Sequence, residues 1–240
     1  LFVDRKGACL SFTCQCLTIR HQEHVLVDTA FSFERSFALI GQSGSGKSLT
    51  LKALLGMLPQ ALDVTLEYHA SYELVRGHTV AFVPQNPFTA LSPLTKIGRQ
   101  FLRDEAKTNA YLEMVELDPA LANRFPSELS GGQLQRICIA MALSLEPKLL
   151  LLDEPTTALD EESKETVLRL IRRLQDVYGF DMLFVTHDIE TIRYVCDEVG
   201  ILQNGRLIEQ GLGSDIFSSP KEAYTQALFA SGFKQRSFRT

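Results

Sequence analysis

Two stretches of this chain carry chemistry in the type and spacing of their residues. The first is Gly41-Gln42-Ser43-Gly44-Ser45-Gly46-Lys47-Ser48, which fits G-x-x-x-x-G-K-[ST] at every fixed position. In that pattern the glycines let successive backbone N–H groups turn inward around phosphate oxygens, and a helix beginning there adds the partial positive charge of its N-terminus. Lys47 supplies an ammonium for the outer phosphates, and the Ser48 hydroxyl a hard oxygen for Mg²⁺. The second stretch is Asp153-Glu154, two acids in the run "LLLLDEP" at 149–155. Asp153 can hold Mg²⁺, directly or through water, and Glu154 can polarise a water facing the terminal phosphate. Acids just after a strand also suit a helix N-terminus, which is the plainer alternative.

Such residues need strands and helices to hold them, and the hydrophobic pattern supplies these in the right order. Residues 10–40 alternate loosely as antiparallel strands and end in the apolar run Phe37–Ile40, directly before the glycine loop. From Lys47 the period becomes helical, with Leu51, Leu54, Leu55 and Leu58 on one face until Pro59. Residues 60–78 read as polar and irregular, "TVAFV" at 79–83 as a strand, and 96–128 as helical segments broken by Pro119 and Pro126. A helix from Gln133, a strand at Leu149–Leu152, a helix from Glu161 to about Val177 and a strand at Met182–Val185 follow. This alternation predicts an α/β fold with a mostly parallel sheet and helices on both faces. Asn204-Gly205 predicts a type I′ hairpin turn.

Composition narrows the function classes. The 240 residues are 45% hydrophobic, and 24 Lys+Arg against 29 Asp+Glu leave a net charge of −5, so no basic field exists to hold nucleic acid non-specifically. No apolar run approaches the roughly 18–20 residues that cross a bilayer, and the first residues do not read as a cleavable leader, so any role at a membrane is expected to run through partners. Five cysteines make a disulfide framework unexpected. Cys14-x-Cys16 is expected on one face of a strand, as small buried thiols rather than metal ligands.

A third element, "LSGGQ" at Leu129–Gln133 followed by "LQR", joins the glycine loop and "LLLDEPTTALD". Together, and in this order, they closely resemble the ATP-binding cassette family of ATPases over about Val25 to Gly211. The resemblance implies a P-loop NTPase (RecA-like) core, with an N-terminal antiparallel β subdomain and an inserted helical subdomain. Residues 1–240 are expected to form one cassette domain, with the helical subdomain at about 86–138 and a short tail at 212–240. It implies ATP and Mg²⁺ as cofactors, with Gly41, Gln42, Ser43, Gly44, Ser45, Gly46, Lys47, Ser48 and Leu49 cradling the phosphates. Ser130, Gly131, Gly132 and Gln133 are implied as ligands of a nucleotide held by an opposing cassette. Without a partner, Ser130-Gly131-Gly132 is a helix cap. Gln85, in "VPQNP", matches the family glutamine that contacts Mg²⁺ and the lytic water. Asp160 matches the aspartate that crosses the dimer interface, and His187, in "FVTHD", the switch histidine at the γ-phosphate. Glu154 is implied as catalytic base, and Ser48, Gln85 and Asp153 as the Mg²⁺ set.

Some positions depart from the family. No aromatic residue precedes the first core strand to stack on adenine, and His21 is the nearest candidate. "FSFERSFALIG" lacks the usual glycine and is about two residues short, and Leu49 stands where a threonine is frequent. "QNPFTALSPLTKIGRQ" at 85–100 resembles the signature of the bacterial peptide and nickel importer ATPases. The tail "SPKEAYTQAL" at 219–228 resembles their P-x-H-P-Y-T-x-x-L, with Glu222-Ala223 replacing His-Pro. The short tail favours a nickel-type or dipeptide-type subunit. The expectation is therefore a peripheral ATPase on the cytoplasmic face of the inner membrane. It would pair with a second cassette, as homo- or heterodimer, and serve integral membrane permease subunits and, indirectly, an extracytoplasmic solute-binding protein, with no nucleic acid partner. The alternative is a soluble cassette ATPase of translation or DNA maintenance. A nucleotide-binding module without turnover is disfavoured by Glu154 and His187.

Overall fold

A computed structural model describes residues 12–101 and 103–234. In chain order the elements are β1 (Phe12–His21), β2 (His24–Phe33), β3 (Ser36–Ile40), α1 (Lys47–Leu54), β4 (Asp63–Ala70), β5 (Val80–Val83), α2 (Pro87–Ala90), α3 (Ile97–Gln100) and α4 (Glu105–Met114). Then come α5 (Gly131–Leu143), β6 (Leu149–Asp153), α6 (Glu161–Tyr178), β7 (Asp181–Thr186), α7 (Ile189–Ile192), β8 (Glu198–Gln203), β9 (Arg206–Leu212), α8 (Gly213–Ser218) and α9 (Ala223–Lys234). They form two compact units, one of the described residues up to Leu74 together with those from Asp181 onward, the other Val75–Phe180.

In the first unit an antiparallel sheet runs in the order β2-β1-β4. β4 corrects the irregular reading of 60–78. Val64, Leu66 and Tyr68 do alternate with polar residues, but β4 is an edge strand with no fully buried residue, so its apolar signal is diluted. The placing of Cys14 and Cys16 on one face is also corrected. A β-bulge between Cys14 and Leu17 shifts the register, so Phe12 and Cys14 point inward before it and Leu17 and Ile19 after it, leaving Cys16 half-buried and out of phase. Phe12 stacks on Phe33, which stacks on Phe37 of β3, with ring centres 5.5 and 5.6 Å apart, so an aromatic ladder seats this sheet against β3.

β3, buried at all five positions, pairs in parallel with β7 and with β8, and β8 turns back antiparallel into β9. The turn has both central residues at positive φ, 48° at Asn204 and 78° at Gly205, as a type I′ turn demands. Helix α1 is shorter than expected, ending before Pro59 is reached. Gly56, at φ 61°, takes the left-handed conformation, its N–H donating to Ala53 O and that of Met57 to Lys52 O, which closes the helix with its orphan carbonyls satisfied.

In the second unit β5 and β6 pair in parallel, Val83 opposite Leu152. Between them the described regular elements are all helices or 3-10 turns, and each expected breaker starts a turn. Pro119 and Pro126 stand at the first position of 3-10 turns at Pro119–Asn123 and Pro126–Glu128, where a missing N–H costs nothing. α6 buries Val167, Leu168, Leu170, Ile171 and Leu174 along one face and ends at Gly179, φ 69°.

Candidate functional site

The glycine loop leaves the carboxyl end of β3, and α1 begins at Lys47. The neighbouring parallel strand ends opposite, Ile40 pairing with Thr186, so His187 leaves the same edge as the loop. The carboxyl ends of parallel strands are where open α/β sheets bind ligands. Lys47 is buried, and its Nζ donates to Gly41 O at 2.7 Å and Gln42 O at 3.0 Å. Ser45 N–H also donates to Gln42 O, at 3.1 Å, and the Gly205 N–H of the β8–β9 turn donates to Ser45 O at 2.9 Å. Inside the loop the Ser45 hydroxyl is buried without a hydrogen-bond partner. Gln42, Ser43, Gly44 and Ser48 are exposed, Gly46 and Leu49 half-buried, and His187 is exposed. A curled loop with a buried ammonium and an orphan hydroxyl fits a phosphate, which accepts from both. His21 sits exposed at the end of β1, opposite His24 across a tight turn with Gln22 at φ 56°.

The second unit holds the other group. Asp153 is the last residue of β6, half-buried, and Glu154 follows at φ 46°. Pro155 disfavours the right-handed helical region for residue 154, and the left-handed region it occupies costs a non-glycine residue about 1–2 kcal/mol. Strain of this kind persists where surroundings fix it. Here the carboxylate is fixed: Oε2 accepts from Gln85 Nε2 at 3.2 Å and from Thr157 Oγ1 at 3.1 Å. Gln85 and Glu154 leave the ends of paired strands, so two expected site residues meet. Thr157 was not expected; its only sequence signal is a hydroxyl three residues after the acid, within reach across one turn.

Ser130 caps α5. Its Oγ accepts from Gln133 N at 3.3 Å, and Gln133 Oε1 accepts from Ser130 N at 3.0 Å, a reciprocal capping box. The capping box is compatible with either reading of Ser130, as a helix cap alone or as a ligand of an opposing nucleotide, because the first N–H groups of α5 still lack intrahelical partners. A Cβ on Gly132 would lie 2.9 Å from Ser163 Oγ, so that glycine lets α5 approach α6, whereas one on Gly131 would meet Leu159 Cδ2 at 3.6 Å, an ordinary contact. Asp160 caps α6, accepting from Ser163 N at 2.9 Å and Ser163 Oγ at 2.8 Å. The Ser163 N–H holds its carboxyl below the usual range. Among the described residues no three His, Cys, Asp or Glu side chains gather to hold a metal. The hydroxyl oxygen of Ser48 in the first unit, and the carboxylate of Asp153 and amide oxygen of Gln85 in the second, are each the kind of hard donor that Mg²⁺ takes.

A family model described as ABC transporter matches residues 27–157, more than half of the chain. The chain belongs to the ABC transporter family. Among its ABC relatives, the oligopeptide transport ATP-binding protein OppD of Bacillus subtilis is 34% identical over 223 residues, 82% of this chain and 62% of OppD. The glutathione import ATP-binding protein GsiA of Escherichia coli is 35% identical over 235 residues, 84% of this chain and 38% of GsiA. This chain therefore spans less than two thirds of either relative. A dimeric ATP-binding cassette solved in a post-hydrolysis state with ADP and Pi superposes with a TM-score of 0.69 at 26% identity, covering 84% of this chain and 98% of that one. The P-loop α/β fold expected of the chain is the fold of these cassettes.

Proposed function

We propose that this chain is the ATP-binding and ATP-hydrolysing subunit of an ABC importer, with small peptides as the solute class. The observation that carries the proposal is the glycine loop, where at the start of a helix a buried lysine donates to two loop carbonyls and the buried Ser45 hydroxyl lacks a partner. On ATP binding, Lys47 exchanges the carbonyls of Gly41 and Gln42 for phosphate oxygens, and the Ser45 hydroxyl gains its missing acceptor. Ser48, Asp153 and Gln85 would hold Mg²⁺, which when bound supplies charge neutralisation at the phosphate oxygens. Glu154 takes a proton from the attacking water, and the Gln85 amide and Thr157 hydroxyl keep its carboxylate aimed. His187 donates to the γ-phosphate, and His21 is the candidate for the adenine. Ser130, Gly131, Gly132, Gln133 and Asp160 form the face offered to a second cassette.

Residues 86–138 act as the helical subdomain of a single cassette, with 212–240 as its tail, and the permease subunits couple to it near Gln85 and the helical subdomain. The subunit is peripheral, on the cytoplasmic face of the membrane; no helix among the described residues is long and apolar enough to cross one. The oligopeptide transport role of OppD and the glutathione import role of GsiA support import over translation or DNA maintenance, and support peptides over nickel.

Two experiments test this. Titration with ATP and Mg²⁺ should give saturable binding that Lys47→Ala abolishes; equal binding by the variant would refute the loop assignment. A detergent pull-down of the tagged chain from native membranes should recover two integral membrane proteins and a second cassette, and recovery of ribosomes or DNA-processing factors alone would overturn the transport role.

A further inference from the structure

The C-terminal motif "SPKEAYTQAL" has no part in the chemistry above, yet it touches the glycine loop. The start of α9 is staked to β9: Glu209 Oε1 accepts from Lys221 N at 2.8 Å and its Oε2 from Glu222 N at 3.3 Å. Farther along, Phe229 is buried against Phe217 of α8, ring centres 5.5 Å apart, so the helix is held at two points. Between them Tyr224 is half-buried, and its hydroxyl accepts from the Gln42 N–H at 3.4 Å. Gln42 is the residue on which the loop leans, since its carbonyl receives both Lys47 Nζ and Ser45 N–H.

We propose that Tyr224 is a positioning residue for nucleotide binding: α9, staked by Glu209, holds the Gln42 peptide through the Tyr224 hydroxyl, so that the loop keeps its curl when Lys47 leaves Gln42 for a phosphate. The proposal rests on the nucleotide-binding reading above. The bond is one neutral, partly solvated hydrogen bond on a segment that must stay ordered in the bound state. Its loss therefore weakens ATP binding by about 2- to 10-fold.

The test compares the whole chain, Tyr224→Phe and Lys47→Ala in equilibrium titrations with ATP and Mg²⁺, alongside hydrogen exchange at the Gln42 amide and thermal unfolding. Tyr224→Phe removes one oxygen and keeps the ring. It should lower ATP affinity by that factor and speed exchange at Gln42, with the unfolding midpoint falling by no more than the roughly 2–4 °C that one hydrogen bond is worth. A lower midpoint with unchanged affinity would assign Tyr224 to packing alone and overturn the proposal. So would equal affinity and equal exchange in wild type and Tyr224→Phe, while Lys47→Ala still fails to bind; that result leaves the nucleotide reading standing. If the wild-type chain binds no ATP, the nucleotide reading falls and the latch with it.

Discussion

Gly205→Ala separates tertiary restraint from local backbone preference around the glycine loop. Gly205 is at φ 78°, and a Cβ there would lie 2.2 Å from Leu26 O and 2.9 Å from Val27 Cα, main-chain atoms of β2 with no rotamer to yield. The left-handed conformation costs alanine about 1–2 kcal/mol. To relieve the clash the turn must also move from β2 and the loop, breaking Asp28 N–H to Gly205 O at 2.8 Å and Gly205 N–H to Ser45 O at 2.9 Å. At about 1 kcal/mol each, these bring the expected loss to about 3–4 kcal/mol. Gly56→Ala is the internal control: φ is 61°, but a Cβ there meets nothing within 4 Å, so only the conformational strain of about 1–2 kcal/mol is lost. The gap of about 2 kcal/mol corresponds to about 4–8 °C in the unfolding midpoint for a chain of this size. Calorimetry with urea unfolding measures both variants. Equal destabilisation would refute the inference that the hairpin turn braces the loop from behind.

Glu154→Gln should leave ATP affinity intact and slow phosphate release by about 100- to 10,000-fold, the range for loss of a general base; phosphate release at wild-type rate would remove Glu154 from that role. Ser130→Ala deletes one arm of the capping box and should cost about 1 kcal/mol in urea unfolding, with Ser130→Asp recovering most of it. Burial raises the Glu209 carboxyl, but the hydrogen bonds it accepts outweigh this and leave it below the ordinary glutamate range. Its stabilising contribution is therefore present above the unfolded pKa and lost as pH falls through the folded one. The stability gap between wild type and Glu209→Gln should accordingly be full at neutral pH and vanish in acid, and a gap that widened in acid would contradict the assignment. Burial pushes the Cys14 and Cys138 thiols up to about 12, so neither should react with iodoacetamide before unfolding, whereas half-buried Cys16 should; mass spectrometry of labelled peptides checks the order.

What could be read from the chain alone was local. Asn204-Gly205 demands positive φ wherever it stands, so the hairpin was visible. The glycine loop and Asp153-Glu154 were visible because their chemistry is packed into consecutive residues. β4 was not, because an edge strand keeps few apolar side chains, and Tyr68, Leu66 and Val64 are spread among Glu67, Thr65 and Asp63. The bulge after Cys14 left no mark either, since a period of two says nothing of where a strand slips. α1 was drawn to Pro59 because a proline breaks a helix whatever its surroundings, while Gly56 could have been an interior residue until its turn closed. The capping box had its signal in Ser130-x-x-Gln133. The contact of Gln85 with Glu154 and that of Tyr224 with Gln42 join residues far apart in sequence, and only folding brings them together.

The carbonyls that receive Lys47 make the loop its own competitor. An incoming group gains nothing by offering the lysine one more neutral acceptor, because Gly41 O and Gln42 O already provide two. It gains only by bringing negative charge, since a charge-assisted bond is roughly twice as strong as a neutral one. A loop that occupies its own lysine in this way is expected to act as a filter, favouring phosphorylated ligands over nucleosides and sugars before any base is read.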